Sequence, residues 1–303
     1  MVRVLANDGM DKAAAKLLED AGYEVILDHY PLDELKEKIK EVDVLIVRSA
    51  TKVREELLNI AKEAGTLKLV IRAGVGVDNI DVAHAKEIGI EVRNTPNSSS
   101  DSVAELAIAH MFALARHIHI SNVTMRNGEW NKKAYKGIEL AGKTLGLIGF
   151  GRIARSTAKK ANALGMNIIY TDLMGKAEGF DQFEYVSKEE LIQKSDVITL
   201  HIPFIKEQGP AIAAKEFDMM KDGVFLINCA RGGVVCEDSL LKALDSGKVA
   251  AAGIDVFEEE PTKREALYTH PKVSMTPHIG ASTSEAQTRI GVETVDTIIN
   301  FFK

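Results

Sequence analysis

The chain has 303 residues, 46% hydrophobic and 27% charged, the balance of a soluble globular protein too long for one comfortable core and so of two domains. A net charge of -6 without a dense Lys/Arg block argues against nucleic acid or an anionic membrane surface as partner, and no apolar run approaches the roughly 20 residues of a bilayer span. Two cysteines, Cys229 and Cys236, make no disulfide framework, and Asn7 and Asp8 arrive before a signal region could form, so the expected location is cytoplasmic.

Short β-branched runs alternate with helical patterns from the first residue. Val2–Ala6 reads as a strand and Asp11–Ala21 as a helix, followed by strands at Tyr23–Asp28, Asp43–Val47 and Leu67–Ala73. The last of these runs into the turn Gly74-Val75-Gly76. Strands separated by helices imply right-handed crossovers and a parallel sheet covered on both faces. From Asn94 to Ser100 the chemistry is that of turns and caps, and Ser102 with Glu105 predicts a capping box. Val103 to Ile118 is apolar almost all round, as in a helix buried on several sides between domains or subunits. A second α/β series opens at Thr144 and continues through strands at Asn167–Thr171, Asp196–Leu200, Gly223–Asn228 and Val249–Asp255. Ser282 and Glu285 suit another capping box, opening a helix that runs nearly to Phe302. The expected fold is α/β, with two doubly wound parallel-sheet (Rossmann-like) domains. They span residues 1–98 and 99–280, and a return of 281–303 to the first makes that domain discontinuous.

Within the second series, Gly149-Phe150-Gly151-Arg152-Ile153-Ala154 follows a strand and opens a helix. The first glycine allows a tight turn, and the second lets a pyrophosphate approach the positive end of the helix dipole. The third position needs only a small residue, which Ala154 supplies. Asp172 ends the next strand, about 20 residues on, where a carboxylate can bond both ribose hydroxyls of NAD and repel a 2′-phosphate. Gly74-Val75-Gly76 lacks the third small residue and reads as a substrate-side turn.

Arg231, Glu260 and His278 each follow a strand of this unit, where a doubly wound sheet offers its ligand crevice. Singly they suit a surface ion pair, a solvated glutamate run and a loop donor. Together they match what hydride transfer to a 2-keto acid requires. A guanidinium clamps the carboxylate and polarises the carbonyl, an imidazolium gives a proton to the carbonyl oxygen, and a neighbouring carboxylate orients that imidazole and favours its charged form.

These residues, with Val47-Arg48-Ser49-Ala50-Thr51-Lys52-Val53, Arg72 to Asn79, Asn94-Thr95-Pro96-Asn97, Asn228 to Gly233, Asp255-Val256-Phe257 and Pro277 to Thr283, carry a resemblance that spans essentially the whole chain. The sequence resembles the D-isomer-specific 2-hydroxyacid dehydrogenase family, and most closely its members acting on D-3-phosphoglycerate in the first step of serine biosynthesis. The resemblance implies that Arg231 binds substrate and that His278 is the acid/base partnered by Glu260. It implies an NAD site of Val75, Gly149, Gly151, Arg152, Ile153, Asp172, Ile202, Pro203, Cys229, Ala230, Arg231, Asp255, His278, Gly280 and Ala281. Its substrate residues would be Arg48, Ser49, Arg54, Arg72, Gly74, Val75, Gly76, Asn97 and Lys132, besides Arg231 and His278. It also implies a homodimer formed through the nucleotide domain and its long first helix.

Three departures from the family pattern bear on cofactor contacts. Ala154 replaces a glycine, Cys236 stands where an acidic residue is common, and His201 to Pro210 lacks the usual threonines. The chain stops at Lys303, which leaves no room for the regulatory domains of longer relatives and predicts insensitivity to serine. The rival readings are a relative acting on glyoxylate, hydroxypyruvate or a D-lactate-type acid, and an NAD-sensing binding protein like the co-repressors that share this fold.

Overall fold

A computed structural model describes all 303 residues, which divide into two compact units, Met1–Ser99 with Ala281–Lys303, and Ser100–Gly280. The first unit is built on strands β1 (Arg3–Ala6), β2 (Glu24–Ile26), β3 (Val44–Val47), β4 (Leu69–Arg72) and β5 (Glu91–Asn94). They alternate with helices α1 (Lys12–Asp20), α2 (Leu32–Lys38), α3 (Glu55–Ala64) and α4 (Val82–Glu87). The sheet is parallel, in the order β2-β1-β3-β4-β5. Val44-Leu45-Ile46-Val47 is buried on both faces, the signature of a strand covered by helices on either side. Asp11 caps α1 by accepting the Ala14 N–H at 3.0 Å. Asp8 accepts the N–H groups of Arg48 and Thr51 and so fixes the loop after β3.

The second unit begins with α5 (Ser100–Ala115) and α6 (Ile118–Arg126). Its α/β series then runs β6 (Thr144–Ile148), α7 (Arg152–Ala163), β7 (Asn167–Thr171), β8 (Glu184–Tyr185), α8 (Lys188–Lys194) and β9 (Val197–Leu200). It continues through α9 (Ala214–Met219), β10 (Val224–Asn228), α10 (Glu237–Ser246), β11 (Val249–Ile254), α11 (Glu265–Tyr268) and β12 (Val273–Met275). These strands form a seven-stranded parallel sheet ordered β12-β11-β10-β9-β6-β7-β8, whose direction of growth reverses between β6 and β9. The buried face of α5 packs on α7, β10, β11 and β12 of its own unit. The chain closes with α12 (Ser284–Phe302), which returns to the first unit and packs on α1.

Three local expectations are corrected. Helix α5 starts at Ser100, so Ser102 and Glu105 lie within it and not at its first residue. It does not run on to Ile118, because His117 adopts φ +55° and breaks the chain into α5 and α6. At α12 the cap is Thr283, whose hydroxyl accepts the Ala286 N–H at 3.1 Å, and not Ser282. The N–H that a cap must satisfy lies three residues on, and only Thr283 stands at that distance from the first turn.

Candidate active site

The turn from β6 into α7 sits at the strand-order reversal of the second unit, where open α/β sheets bind ligands. Gly149 has φ +85°, and a Cβ there would come within 2.6 Å of the His201 carbonyl oxygen. Glycine is therefore required. Gly151 caps α7, and a Cβ on it would meet nothing within 4 Å, which leaves the start of the helix open to a ligand. Ala154 is fully buried, so a small residue meets the packing demand of the third fingerprint position. A cavity of about 610 Å³ opens beside this turn, lined by Gly149, Gly151, Asp172, Ile202, Pro203 and residues beyond them. At its edge Asp172 accepts the Phe150 N–H at 2.6 Å and the Met174 N–H at 2.9 Å. Those bonds fix the carboxylate beside the phosphate-binding turn, where a ribose would meet it. Glycine turn, open helix end and fixed carboxylate fit a bound dinucleotide.

Arg231, Glu260 and His278 all belong to this unit. His278 follows β12 with φ +53°, a left-handed conformation uncommon for residues other than glycine. Its Nδ1 meets Glu260 Oε2 at 2.8 Å, and Glu260 Oε1 accepts the Phe257 N–H at 3.1 Å. Burial pushes the Glu260 carboxyl up. The His278 bond and charge, the Phe257 N–H and the nearby Arg231 charge outweigh it, leaving the group below its ordinary range. With Nδ1 engaged, Nε2 is the nitrogen left for a substrate. Arg231 follows β10 in a loop braced by Asn228, whose amide accepts the Ala230 N–H at 3.1 Å and donates to the Arg231 carbonyl at 3.0 Å.

The family profile of the D-isomer specific 2-hydroxyacid dehydrogenase NAD-binding domain matches residues 108–280. Hydroxypyruvate reductase of Thermotoga maritima is 50% identical over 300 residues, covering 98% of this chain and 97% of that protein. The chain belongs to the D-isomer-specific 2-hydroxyacid dehydrogenase family. It is an NAD-dependent dehydrogenase acting on the CH–OH group of a D-2-hydroxy acid. D-3-phosphoglycerate dehydrogenase of Methanocaldococcus jannaschii is 44% identical over 98% of the chain, which spans only 57% of that relative. Among solved structures, a glyoxylate reductase from Paecilomyes thermophila matches with a TM-score of 0.88 and 32% identity, covering 98% of this chain and 94% of that one.

The remaining residues that the family resemblance nominated divide by what they touch. Arg152 and Ile153 open α7. Cys229 and Ala230 are buried after β10, and burial pushes the Cys229 thiol far up, with the Asp255 charge adding to it. Asp255 is itself fully buried, with its oxygens bonded to Thr276, Ile279 and Gly280. Burial pushes its carboxyl up, against those bonds. Ala281, in the first unit, offers its carbonyl to Gln287.

Also in the first unit, Gly74 has φ +151°, and a Cβ there would overlap the Arg72 guanidinium. The Val75 carbonyl accepts from Asn94. Arg54 donates to the Asp78 carbonyl at 3.1 Å, and Ser49 is exposed. The Asn97 amide donates to Glu293 of α12 at 2.8 Å, a tie that holds the end of the first segment to the last helix. Lys132 lies exposed on a single 3₁₀ turn of the second unit, Lys132–Ala134.

Sequence reasoning missed several residues that brace the loops carrying Arg231 and Glu260. Asn228 was visible only as the end of an apolar strand. The carboxylate thought lost at Cys236 is supplied next door by Glu237, which accepts the Glu258 N–H at 2.8 Å. Gly232 permits close approach of the same segment, since a Cβ there would overlap the Phe257 carbonyl.

Proposed function

We propose that the chain interconverts D-3-phosphoglycerate and 3-phosphohydroxypyruvate, the first step of serine biosynthesis. The observation that supports a phosphorylated substrate is the β3–β4 register. Val47 pairs with Arg72, so Arg72 ends β4 beside the end of β3, and Arg48 is the residue just beyond that end. The carboxyl ends of these two strands therefore carry two arginines, a residue that binds phosphate by paired charged hydrogen bonds. Bound NAD supplies the hydride acceptor, or as NADH the donor. Gly149, Gly151 and Asp172 would hold it. Arg231 clamps the substrate carboxylate and polarises the carbonyl. His278, oriented through Nδ1 by Glu260, delivers a proton from Nε2 to the carbonyl oxygen on reduction and removes it on oxidation.

A second reading, reduction of hydroxypyruvate or glyoxylate, is favoured by the 50% identical relative, which the chain spans almost end to end. Comparing kcat/KM for 3-phosphohydroxypyruvate, hydroxypyruvate and glyoxylate with NADH decides between them. Each charged contact to phosphate contributes about 1.5–3 kcal/mol, roughly tenfold to a hundredfold. The phosphorylated acid should therefore win at low salt and lose ground as salt rises. Arg48→Gln, Arg54→Gln or Lys132→Gln should raise its KM and spare hydroxypyruvate. Equal handling of the acids by the wild type removes the phosphoglycerate reading and leaves the second.

The same reading includes a homodimer in the cytoplasm. Ile118, Val123 and Met125 of α6 are more than half exposed, and Trp130 is 78% exposed, an apolar display on the second unit that suits a second copy. Both cysteines are free, and no helix is long and apolar enough to cross a membrane. Light scattering should return about twice the 33.1 kDa chain mass, and a monomer would remove this part of the reading.

A further inference from the structure

We propose that His110, on α5, is a positioning residue for the His278 loop and acts through a buried hydrogen-bond relay in its Nε2–H tautomer. The inference rests on the catalytic reading of His278. His110 is 3% exposed on a helix face otherwise occupied by Ala104, Ala107, Met111 and Leu114. Its Nδ1 lies 3.0 Å from Ser274 Oγ and its Nε2 3.1 Å from Thr276 Oγ1.

The tautomer follows from counting protons. The single hydroxyl proton of Thr276 is given to Asp255 Oδ1, 2.6 Å away. The Thr276 oxygen can then only accept from His110, so Nε2 carries the hydrogen. Nδ1 is left bare, and the Ser274 hydroxyl donates to it. At the far end of the relay, Asp255 Oδ1 accepts the Ile279 N–H at 2.8 Å and Oδ2 accepts the Gly280 N–H at 2.9 Å. Thr276 also acts directly, because its carbonyl accepts the His278 N–H at 3.0 Å. The residue so enclosed is the one held at φ +53°. A non-glycine residue keeps such a conformation only when its surroundings over-determine it.

Two further features match this role. A Cβ on Gly253 of β11 would lie 2.7 Å from the His110 Cβ and 3.0 Å from its Cγ, so a glycine makes the room for the ring. Burial, with the His119 charge adding to it, pushes the imidazole pKa down to about 4, which keeps the ring neutral and able to donate at one nitrogen while accepting at the other.

The test compares His110→Leu with His110→Gln in the full-length protein. NADH is the reductant, and the substrate is whichever of glyoxylate, hydroxypyruvate and 3-phosphohydroxypyruvate the wild type turns over fastest. The leucine fills the site but cannot donate, and misplacing His278 should lower kcat about tenfold. Glutamine carries both a donor and an acceptor and should restore kcat to within about threefold of wild type. A leucine variant with wild-type kcat overturns the inference, as does a glutamine variant that falls equally far. Nitrogen-15 NMR of the wild-type imidazole adds a readout independent of turnover and of either variant's folding. A proton on Nε2 is expected, and a proton on Nδ1 overturns the relay. His278→Ala separates the two levels of the reading. If it keeps wild-type turnover, the role of His278 fails; if it is inactive while His110→Leu is normal, only the relay fails.

Discussion

Glu237 and Glu258 exchange hydrogen bonds in both directions. The Glu237 N–H donates to Glu258 Oε1 at 2.9 Å, and the Glu258 N–H donates to Glu237 Oε1 at 2.8 Å. Glu237 is almost fully buried and also pairs with Arg264 at 3.1 Å. The arrangement ties the start of α10 to the segment that carries Glu260. Glu237→Ala removes the charged acceptor of the Glu258 N–H and one partner of Arg264, and should cost about 1–3 kcal/mol. Urea unfolding measures the loss, and kcat should fall with it as Glu260 loosens. A variant unchanged in both respects would show that the segment stands without this clamp.

The catalytic assignments are tested most directly at His278. His278→Ala should lower turnover by about 100-fold or more while NADH still binds, as expected when a general acid is removed. Arg231→Ala should abolish substrate binding. The depressed Glu260 carboxyl stabilises the fold above its unfolded value of 4.5, and that contribution is lost as pH falls through the lower folded value. Glu260→Gln should therefore flatten the loss of stability below about pH 4.5 as well as slow turnover. Wild-type behaviour on both counts would separate Glu260 from His278.

Cofactor choice tests the proposed role of Asp172. Its carboxylate, fixed by the Phe150 and Met174 N–H groups, should favour NADH over NADPH. Asp172→Ala should narrow that preference. Equal kcat/KM for both cofactors in the wild type would take Asp172 out of the ribose site.

Acid should destabilise the second unit through two imidazoles, that of buried His110 and that of half-buried His201. Burial pushes His110 down to about 4 and His201 to about 3, from an ordinary 6.5. Between those values and pH 6.5 the unfolded chain binds more protons than the folded one, so stability falls as pH is lowered through that window. The full contribution of His110 is about 3 kcal/mol, from a shift of roughly two and a half pKa units. Asp255, raised by burial, works in the opposite sense as it takes up a proton. Melting temperatures from pH 7 to 4 should fall less steeply in His110→Gln than in the wild type. Parallel curves would mean that His110 is protonated without cost.

The fold was legible where burial imposes a simple pattern. Val44 to Val47 could only be a strand covered on both faces, and the glycines before α7 announce the turn into it. Ends of helices were less legible. Ser282 and Thr283 offer the same hydroxyl, and geometry alone chooses between them. His117 breaks a helix through a left-handed backbone that its residue type does not advertise.

The glutamate run shows the same limit at the site. Glu258 bonds to Glu237, Glu259 pairs with Lys263 and Glu260 meets His278, three fates for one residue type in succession. His110 was hidden for a different reason. On a helix of apolar residues it passes for one more core side chain, and its partners Ser274 and Thr276 lie more than 160 positions further along the chain.

The contact between α1 and α12 also constrains how the molecule is made. Gly291 lies so close to Ala14 that a Cβ would come within 2.7 Å of the alanine's own. Ile290, Val295 and Ile298 complete a cluster with Val4, Ala6, Val44, Ile46, Leu69 and Ile71. A ribosome releases those strand residues before the second unit and delivers α12 only after the whole of that unit has emerged. Until then only α1, through Ala14 and Leu18, covers that face of the first sheet, and the first unit can close only when α12 arrives. The unit begun first is completed after the second, and a chaperone that shields apolar strands has its opportunity in that interval.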